Sequence, residues 1–187
     1  METPVPTRTH ETIRVRPYVE GDIEPLVAAV HASLNELRPW LPWAHANYDR
    51  ADAQAWVEGR AVAWENDEAY SFAIVHTETE RFLGGVGINR IDWPSRVGNL
   101  GYWVRTDATG QGVATTAARL AAGIGIEELG LRRIELLVPV GNTASRRVAE
   151  KIGAVQEGLL RRRLRVEDAV YDAVLYALFP EAVSSCA

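Results

Sequence analysis

The feature that most restricts this chain is a change of rhythm at Val104. Before it, three β-prone segments follow one another with only short turns between them: Tyr70 to His76, Phe82 to Ile91 and Val97 to Val104. Strands so closely spaced pair as an antiparallel meander. After Val104 a polar turn and Gly110-Gln111-Gly112 lead into a helical pattern over Gly112 to Leu129. A further β-prone segment, Arg133 to Val138, comes next. A strand, a crossover helix and a second strand imply a parallel pair. The spacing therefore predicts an α+β domain with a central, mixed, mostly antiparallel twisted sheet.

The junction carries chemistry of its own. The first N–H groups of a helix have no internal partners, and the helix dipole adds partial positive charge, so such a terminus attracts anions. Gly110 and Gly112 bear no Cβ to hold a phosphate away from the backbone. Two phosphate signatures do not fit. The loop G-x-x-x-x-G-K-[ST] needs a lysine, and the only lysine is Lys151. The dinucleotide pattern G-x-G-x-x-G needs its first glycine directly after the strand. Here Arg105 to Thr109 intervene, and Thr115 stands where the third small residue belongs.

The remaining elements follow from pattern and punctuation. Ile13 to Tyr18 alternates as a short strand ended by Pro17. Asp22 is placed to cap a helix over Ile23 to Leu34, and Asp49 or Asp52 one that runs to about Trp64. Leu37 to Trp43, with two prolines and two tryptophans, reads as an elbow. A helix from Asn142 to Ile152 ends on Gly153, and Val155 to Leu164 pairs with Ala169 to Leu178 around Glu167-Asp168. Residues 1–11 and 180–187 are expected as loose tails of a single domain spanning 1–187.

The 187 residues, 47% of them hydrophobic, suit one domain with a sizeable core. A formal net charge of −5 disfavours nucleic acid as a partner. No signal peptide and no membrane span are expected. The single cysteine, Cys186, offers no internal disulfide, in keeping with a cytoplasmic location. His10, His31, His45 and His76 lack ligand-like spacing, so no metal is expected.

Two motifs resemble those of the GNAT family of N-acetyltransferases. Thr109-Gly110-Gln111-Gly112-Val113-Ala114 is similar to its pyrophosphate loop, [QR]-x-x-G-x-[GA]; Gly112 and Ala114 match, and Thr109 departs from the usual Gln or Arg. Gly141 to Ala154 resembles the N-x-x-S…K-x-G-[FA] segment of the RimJ/RimL-like branch, with Asn142, Ser145, Lys151 and Gly153 in the matching places. The resemblance extends from Ile13 to about Phe179. It implies that strands 97–104 and 133–138 splay apart and that acetyl-CoA lies between them as co-substrate.

The same resemblance implies site residues. Trp103, Val104, Gly110, Gln111, Gly112, Val113, Ala114, Thr115 and Asn142 would bind the acyl-CoA. Ser145 would assist the departing thiolate; a first-turn capping role is its alternative. The general base is open among Glu68, Asp92 and Tyr102, with Glu68 favoured. Trp40, Trp43 and Tyr102 would line the amine acceptor's groove; an aromatic mini-core is the alternative for the tryptophans. The implied activity is acetyl transfer to a primary amine, on a protein N-terminus or a small molecule, by direct attack in a ternary complex. A non-catalytic acyl-CoA sensor, or transfer of a longer or succinyl group, is the competing reading. The branch also admits a homodimer.

Overall fold

The computed structural model describes residues 6–184. Its centre is one eight-stranded sheet. The strands are β1 (Arg8–His10), β2 (Ile13–Pro17), β3 (Ala69–His76), β4 (Phe82–Asp92), β5 (Val97–Val104), β6 (Arg133–Pro139), β7 (Val155–Val166) and β8 (Ala169–Leu178), and their spatial order is β1-β2-β3-β4-β5-β6-β8-β7. Neighbours are antiparallel except β5 and β6. The predicted meander and parallel crossover are both present.

Helices cover the two faces. On one side lie α1 (Ile23–Ala32), α2 (Leu34–Leu37) and α3 (Arg50–Glu65). Ile23, Leu26, Ala29 and Val30 pack there with Tyr48, Ala73, Val75 and Phe82. On the other side α4 (Val113–Gly123) sets Ala117, Ala118, Ala121 and Ala122 against Val86, Ile88, Leu100 and Ile134. Alanines let the helix sit close on the sheet, and α5 (Thr143–Lys151) packs beside it.

Several expectations are corrected. Residues 8–10 are not loose: Arg8↔Val15 and His10↔Ile13 extend the sheet edge. Glu11 turns the chain at φ 52, and Arg8 forms ion pairs of 2.6 and 3.0 Å with Glu127 and Glu128. The other end is not loose either, for α6 (Pro180–Ser184) follows β8 with proline in its first turn, where the missing N–H costs nothing. Cys186 lies outside the described residues. The crossover helix is not uniform to Leu129. Ile124–Glu128 form a π-helical turn in which Leu129 N–H bonds to Ile124 five residues back. Gly125 is pressed so close to the sheet there that a Cβ would meet Ile88 Cδ1 at 2.4 Å.

Asp22 does not cap α1. Its carboxylate turns back to accept from Arg16 at 2.7 and 2.8 Å and from Val19 N–H at 2.9 Å, so it ties β2 to the entry of the helix. The Asp22 side chain is 5% exposed and that of Arg16 19%. Removing one partner of a pair this enclosed leaves the other charge without compensation. Asp22→Ala is therefore expected to cost about 3 kcal/mol, read as a lower urea midpoint at unchanged m-value, whereas Asp49→Ala, which removes the exposed cap of α3, should cost about 1 kcal/mol.

Candidate functional site

The site begins where β5 and β6 part. Their parallel ladder holds only Val97↔Arg133, Gly98↔Ile134 and Asn99↔Glu135. Beyond Asn99, β5 stays on β4, with Trp103 against Gly85 and Val104 against Gly84, while β6 stays on β8. Alternation along the strands decides which backbone groups are left over. Arg105 N–H bonds back to Leu83, so Trp103, of the same parity, spends its backbone on β4. Tyr102 and Val104 then turn theirs into the gap. On the facing strand Val140 N–H goes to Asp172, which leaves Leu137 facing the gap. Strand-edge groups of this kind require a partner. Leu137 was not singled out from the sequence; only the register of β6 identifies it.

Trp103 is thus a correction. Its side chain packs with Trp43 at 5.6 Å and Phe82 at 6.0 Å between ring centroids, on the α1–α3 side. A Cβ at Gly85 would meet Trp103 Nε1 at 2.8 Å, so that glycine makes the space the indole fills. Neither part of Trp103 is turned to the cleft.

At the top of β5 the turn Thr106–Ala108 leads to the glycine loop. Gly110 and Gly112 have φ of +75° and +80°, a left-handed backbone that residues with a Cβ resist. A Cβ at either would meet no protein atom within 4 Å, so the space above both glycines is open. Gly112 is the N-cap of α4, and the first internal bond of the helix is Thr116 N–H to Gly112. The N–H groups of Val113, Ala114 and Thr115 precede that bond and have no partner inside the helix. Val113 is buried and anchors the turn in the core. Gln111 folds back, its Nε2 donating to Asp107 carbonyl at 3.0 Å; it braces the loop rather than reaching outward.

At the top of β6, Asn142 is the N-cap of α5: its Oδ1 accepts from Ser145 N–H at 3.0 Å. The capping role is therefore filled by Asn142, and the Ser145 hydroxyl is left for other use. That hydroxyl lies 3.0 Å from the Tyr102 phenol, which also donates to the Ser145 carbonyl at 3.0 Å. The contact joins one arm of the splayed pair to the helix that follows the other. Burial pushes the Tyr102 phenol up to about 12; it is a donor, not a base, at ordinary pH.

The elbow after α2 spans the open end. Trp40 stacks near Tyr171 at 6.0 Å and reaches within 3.4 Å of where a Gly141 Cβ would stand. Trp43 lies on Trp103 and, at 6.0 Å, Tyr48. The two tryptophans thus stand over the two arms. A groove of about 470 Å³ runs between Asn35, Arg38 and Pro39 and the β7–β8 turn at Val166 to Ala169.

Glu68 is not part of this constellation. It is exposed in the turn after α3, its N–H on the Ala63 carbonyl. The next residue, Ala69, is level with Asn89 and hence with Asn99, at the closed end of the pair. Reaching Tyr102 from there takes about four residue steps, ~13 Å, and two strand spacings, ~10 Å. Asp92 sits at the same end, its carboxyl held below the usual range by hydrogen bonds from Ser95.

A meander that opens into a splayed parallel pair, with an open, left-handed glycine turn at the head of the crossover helix, defines an N-acetyltransferase domain of the GNAT class. The acetyltransferase (GNAT) domain model matches residues 12–155, and the chain belongs to that family. It is 25% identical over 170 residues to the ribosomal-protein-serine acetyltransferase of Escherichia coli, covering 91% of this chain and 94% of that one. Among solved structures it is similar to Mycobacterium smegmatis RimJ in complex with CoA-disulfide, with TM-score 0.83, 26% identity, 93% of this chain and 87% of the other. The microcin C7 self-immunity acetyltransferase MccE, in complex with acetyl-CoA and AMP, shares the fold at TM-score 0.86 and 20% identity, over 95% and 97% of the two chains. Among the described residues no helix is long and apolar enough to cross a membrane.

The division of labour at α5 is open to direct test. Asn142→Ala should lower stability by about 1 kcal/mol through the lost cap, seen as a reduced melting temperature. Ser145→Ala keeps that cap and loses only the hydroxyl contact, while the phenol retains the Ser145 carbonyl, so it should cost less, about 0.5 kcal/mol. A loss of about 1 kcal/mol from Ser145→Ala that persists in a Tyr102→Phe background would return Ser145 to the capping role.

Proposed function

We propose that the protein transfers the acetyl group of acetyl-CoA to a primary amine by direct attack, with an α-amino group on a protein as the preferred acceptor class. The observation that carries this reading is the alignment of three features along one cleft: the unpaired backbone of Tyr102, Val104 and Leu137, the open donor cluster at Gly112–Thr115, and the Ser145 hydroxyl. A pantetheine arm contains two amides and can pair with strand edges as a β-strand does. The pyrophosphate that follows it suits N–H groups at a helix start. Asn142 keeps its Nδ2 for the ligand while its Oδ1 caps the helix.

The chemistry asks little else of the chain. The amine nitrogen attacks the thioester carbonyl carbon, the C–S bond breaks and its electron pair leaves on sulfur. Ser145 Oγ–H stabilises that developing thiolate, and a proton taken up from solvent, through that hydroxyl or directly, completes the thiol. The proton lost by nitrogen passes to solvent. An α-amino group, with an ordinary pKa near 7.7–8.0, is substantially neutral at neutral pH and attacks without a strong base; a lysine-like amine near 10.4 is not. This favours an α-amine over an alkyl amine now that Glu68 is distant. The name of the Escherichia coli relative, a ribosomal-protein-serine acetyltransferase, supports a protein as the acceptor. Trp40 and Trp43 would screen the groove from water and face the incoming chain.

The reading is tested by melting and turnover. Acetyl-CoA at 100 times its Kd should stabilise the protein by about 2.7 kcal/mol, and NAD should not. Gly112→Val should remove that response while the protein still folds, because a branched residue is disfavoured at positive φ and would occupy the phosphate's approach. Thiol release should be seen with peptides bearing a free N-terminus and rise with pH as the amine deprotonates. Ser145→Ala should lower kcat and kcat/KM together by about 10²-fold, the lower end for a positioned proton donor. Glu68→Gln should track the wild-type pH profile. Tight acetyl-CoA binding with no thiol release across peptides and small amines would leave a sensor, and not an enzyme.

A further inference from the structure

Ser145 has one side-chain partner, and that partner has two ways of meeting it. The Tyr102 phenol carries a single proton, and both acceptors within reach, the Ser145 carbonyl and the Ser145 Oγ, lie at 3.0 Å. When the phenol donates to the carbonyl, the serine hydroxyl can donate to the phenol oxygen and is parked. When the phenol turns to Oγ, the serine proton is released to point into the cleft. The change needs only a rotation about the phenolic C–O bond and a rotation of the serine hydroxyl.

We propose that Tyr102 is a positioning residue for acyl transfer, its hydroxyl aiming the Ser145 O–H at the departing sulfur. The proposal rests on the acetyl-transfer reading and assigns to that site a residue acting through another. A thioether-like sulfur is a weak acceptor, whereas a developing thiolate is a strong one. The parked arrangement is therefore preferred before reaction and the released one as the C–S bond breaks. A hydroxyl that itself receives a hydrogen bond is the better donor. Tyr102 forms and breaks no covalent bond and ends the cycle with the proton it began with.

The surroundings suit such a part. Tyr102 is fixed on β5 opposite Val86, its ring packed against the cluster beneath α4. Ser145 is fixed by the Asn142 cap at the first turn of α5. Backbone and ring are thus held from both sides, and the two hydroxyl protons are what remain free to turn. Without a partner, the serine hydroxyl is free to turn among its staggered positions, and its aim is lost.

The experiment is a double-mutant cycle on the intact protein with acetyl-CoA and an accepted peptide, read as kcat, KM and CoA-induced melting shift. Tyr102→Phe keeps the ring and should lower kcat about ten-fold, the worth of one hydrogen bond. KM for acetyl-CoA and the melting shift should stay close to wild type. In a Ser145→Ala background the same change should cost nothing further, because there is no hydroxyl left to aim. In a Ser145→Thr background, which keeps a hydroxyl, the cost should return. Independent losses in the Ser145→Ala background would overturn the inference. So would loss of CoA binding or of folding in Tyr102→Phe, either of which makes the phenol a latch between β5 and α5. A wild-type protein that acetylates no amine would remove the acetyl-transfer reading itself; an active wild type with additive variants would remove only the role given to Tyr102.

Discussion

The molecule depends on where one ladder stops. β5 and β6 are parallel because a crossover helix joins them, and they pair over three positions only, ending at Asn99↔Glu135. Past that point each strand follows its antiparallel neighbour, β4 or β8, and right-handed twist carries the two halves apart. A sheet that ended pairing at its edge would leave its free groups to water. Here the free groups lie in the middle, between two halves that are each complete. The helices α4 and α5 start on one side of the opening, and the elbow with Trp40 and Trp43 lies over it. The cleft thus follows from strand geometry before any particular side chain is considered.

What the side chains add is placement. Positive φ at Gly110 and Gly112 turns the chain so that α4 begins at the mouth of the gap. Asn142 does the same for α5 at the head of β6, and by taking the capping role it leaves the Ser145 hydroxyl to Tyr102. The Arg16–Asp22 pair fixes how α1 leaves β2, and α1 with α2 carries the elbow to the opening. A charged pair is thus spent on positioning, and the groups turned into the gap are backbone amides with the Tyr102 and Ser145 hydroxyls beside them.

Much of this was legible in the sequence because it was written in local patterns. Strand alternation, the double glycine and Asn142 ahead of a helix each state their structure within a few residues, and all are found as read. The failures share a different cause. Asp22 has the type and place of a cap, yet Arg16, across the β2–α1 turn, competes for its carboxylate. Residues 8–10 look featureless until the free edge of β2 and the pair Glu127–Glu128 are present to receive them. Glu68 lies next to β3 in sequence, but β3 meets β4 so that this end is level with the closed end of the pair. Trp103 was expected at the cofactor from the family resemblance. Parity, which only the β4–β5 register fixes, turns its backbone to β4 and its indole to the other face. Leu137 could not be chosen for the same reason.

The electrostatics of the loop follow from the same economy. The chain carries a net charge of −5, which is unfavourable for a polyanionic ligand at long range. Cations beside the loop do not remove that difficulty: Arg105 and Arg81 both engage Asp107, whose carboxyl the Arg105 guanidinium, and with it Arg81, holds below its ordinary range. Paired in this way they brace the turn. On the acetyl-transfer reading the attraction would fall to the N–H groups at the start of α4, which act over the length of a hydrogen bond and within one helical turn. Such a site gains little from steering and much from fit. On that reading its selectivity would rest on whether a ligand can set a phosphate on the glycine turn and an extended, amide-bearing arm between Val104 and Leu137 at the same time. An isolated phosphate or a nucleotide meets only the first of these conditions, and a thioester with a pantetheine arm meets both.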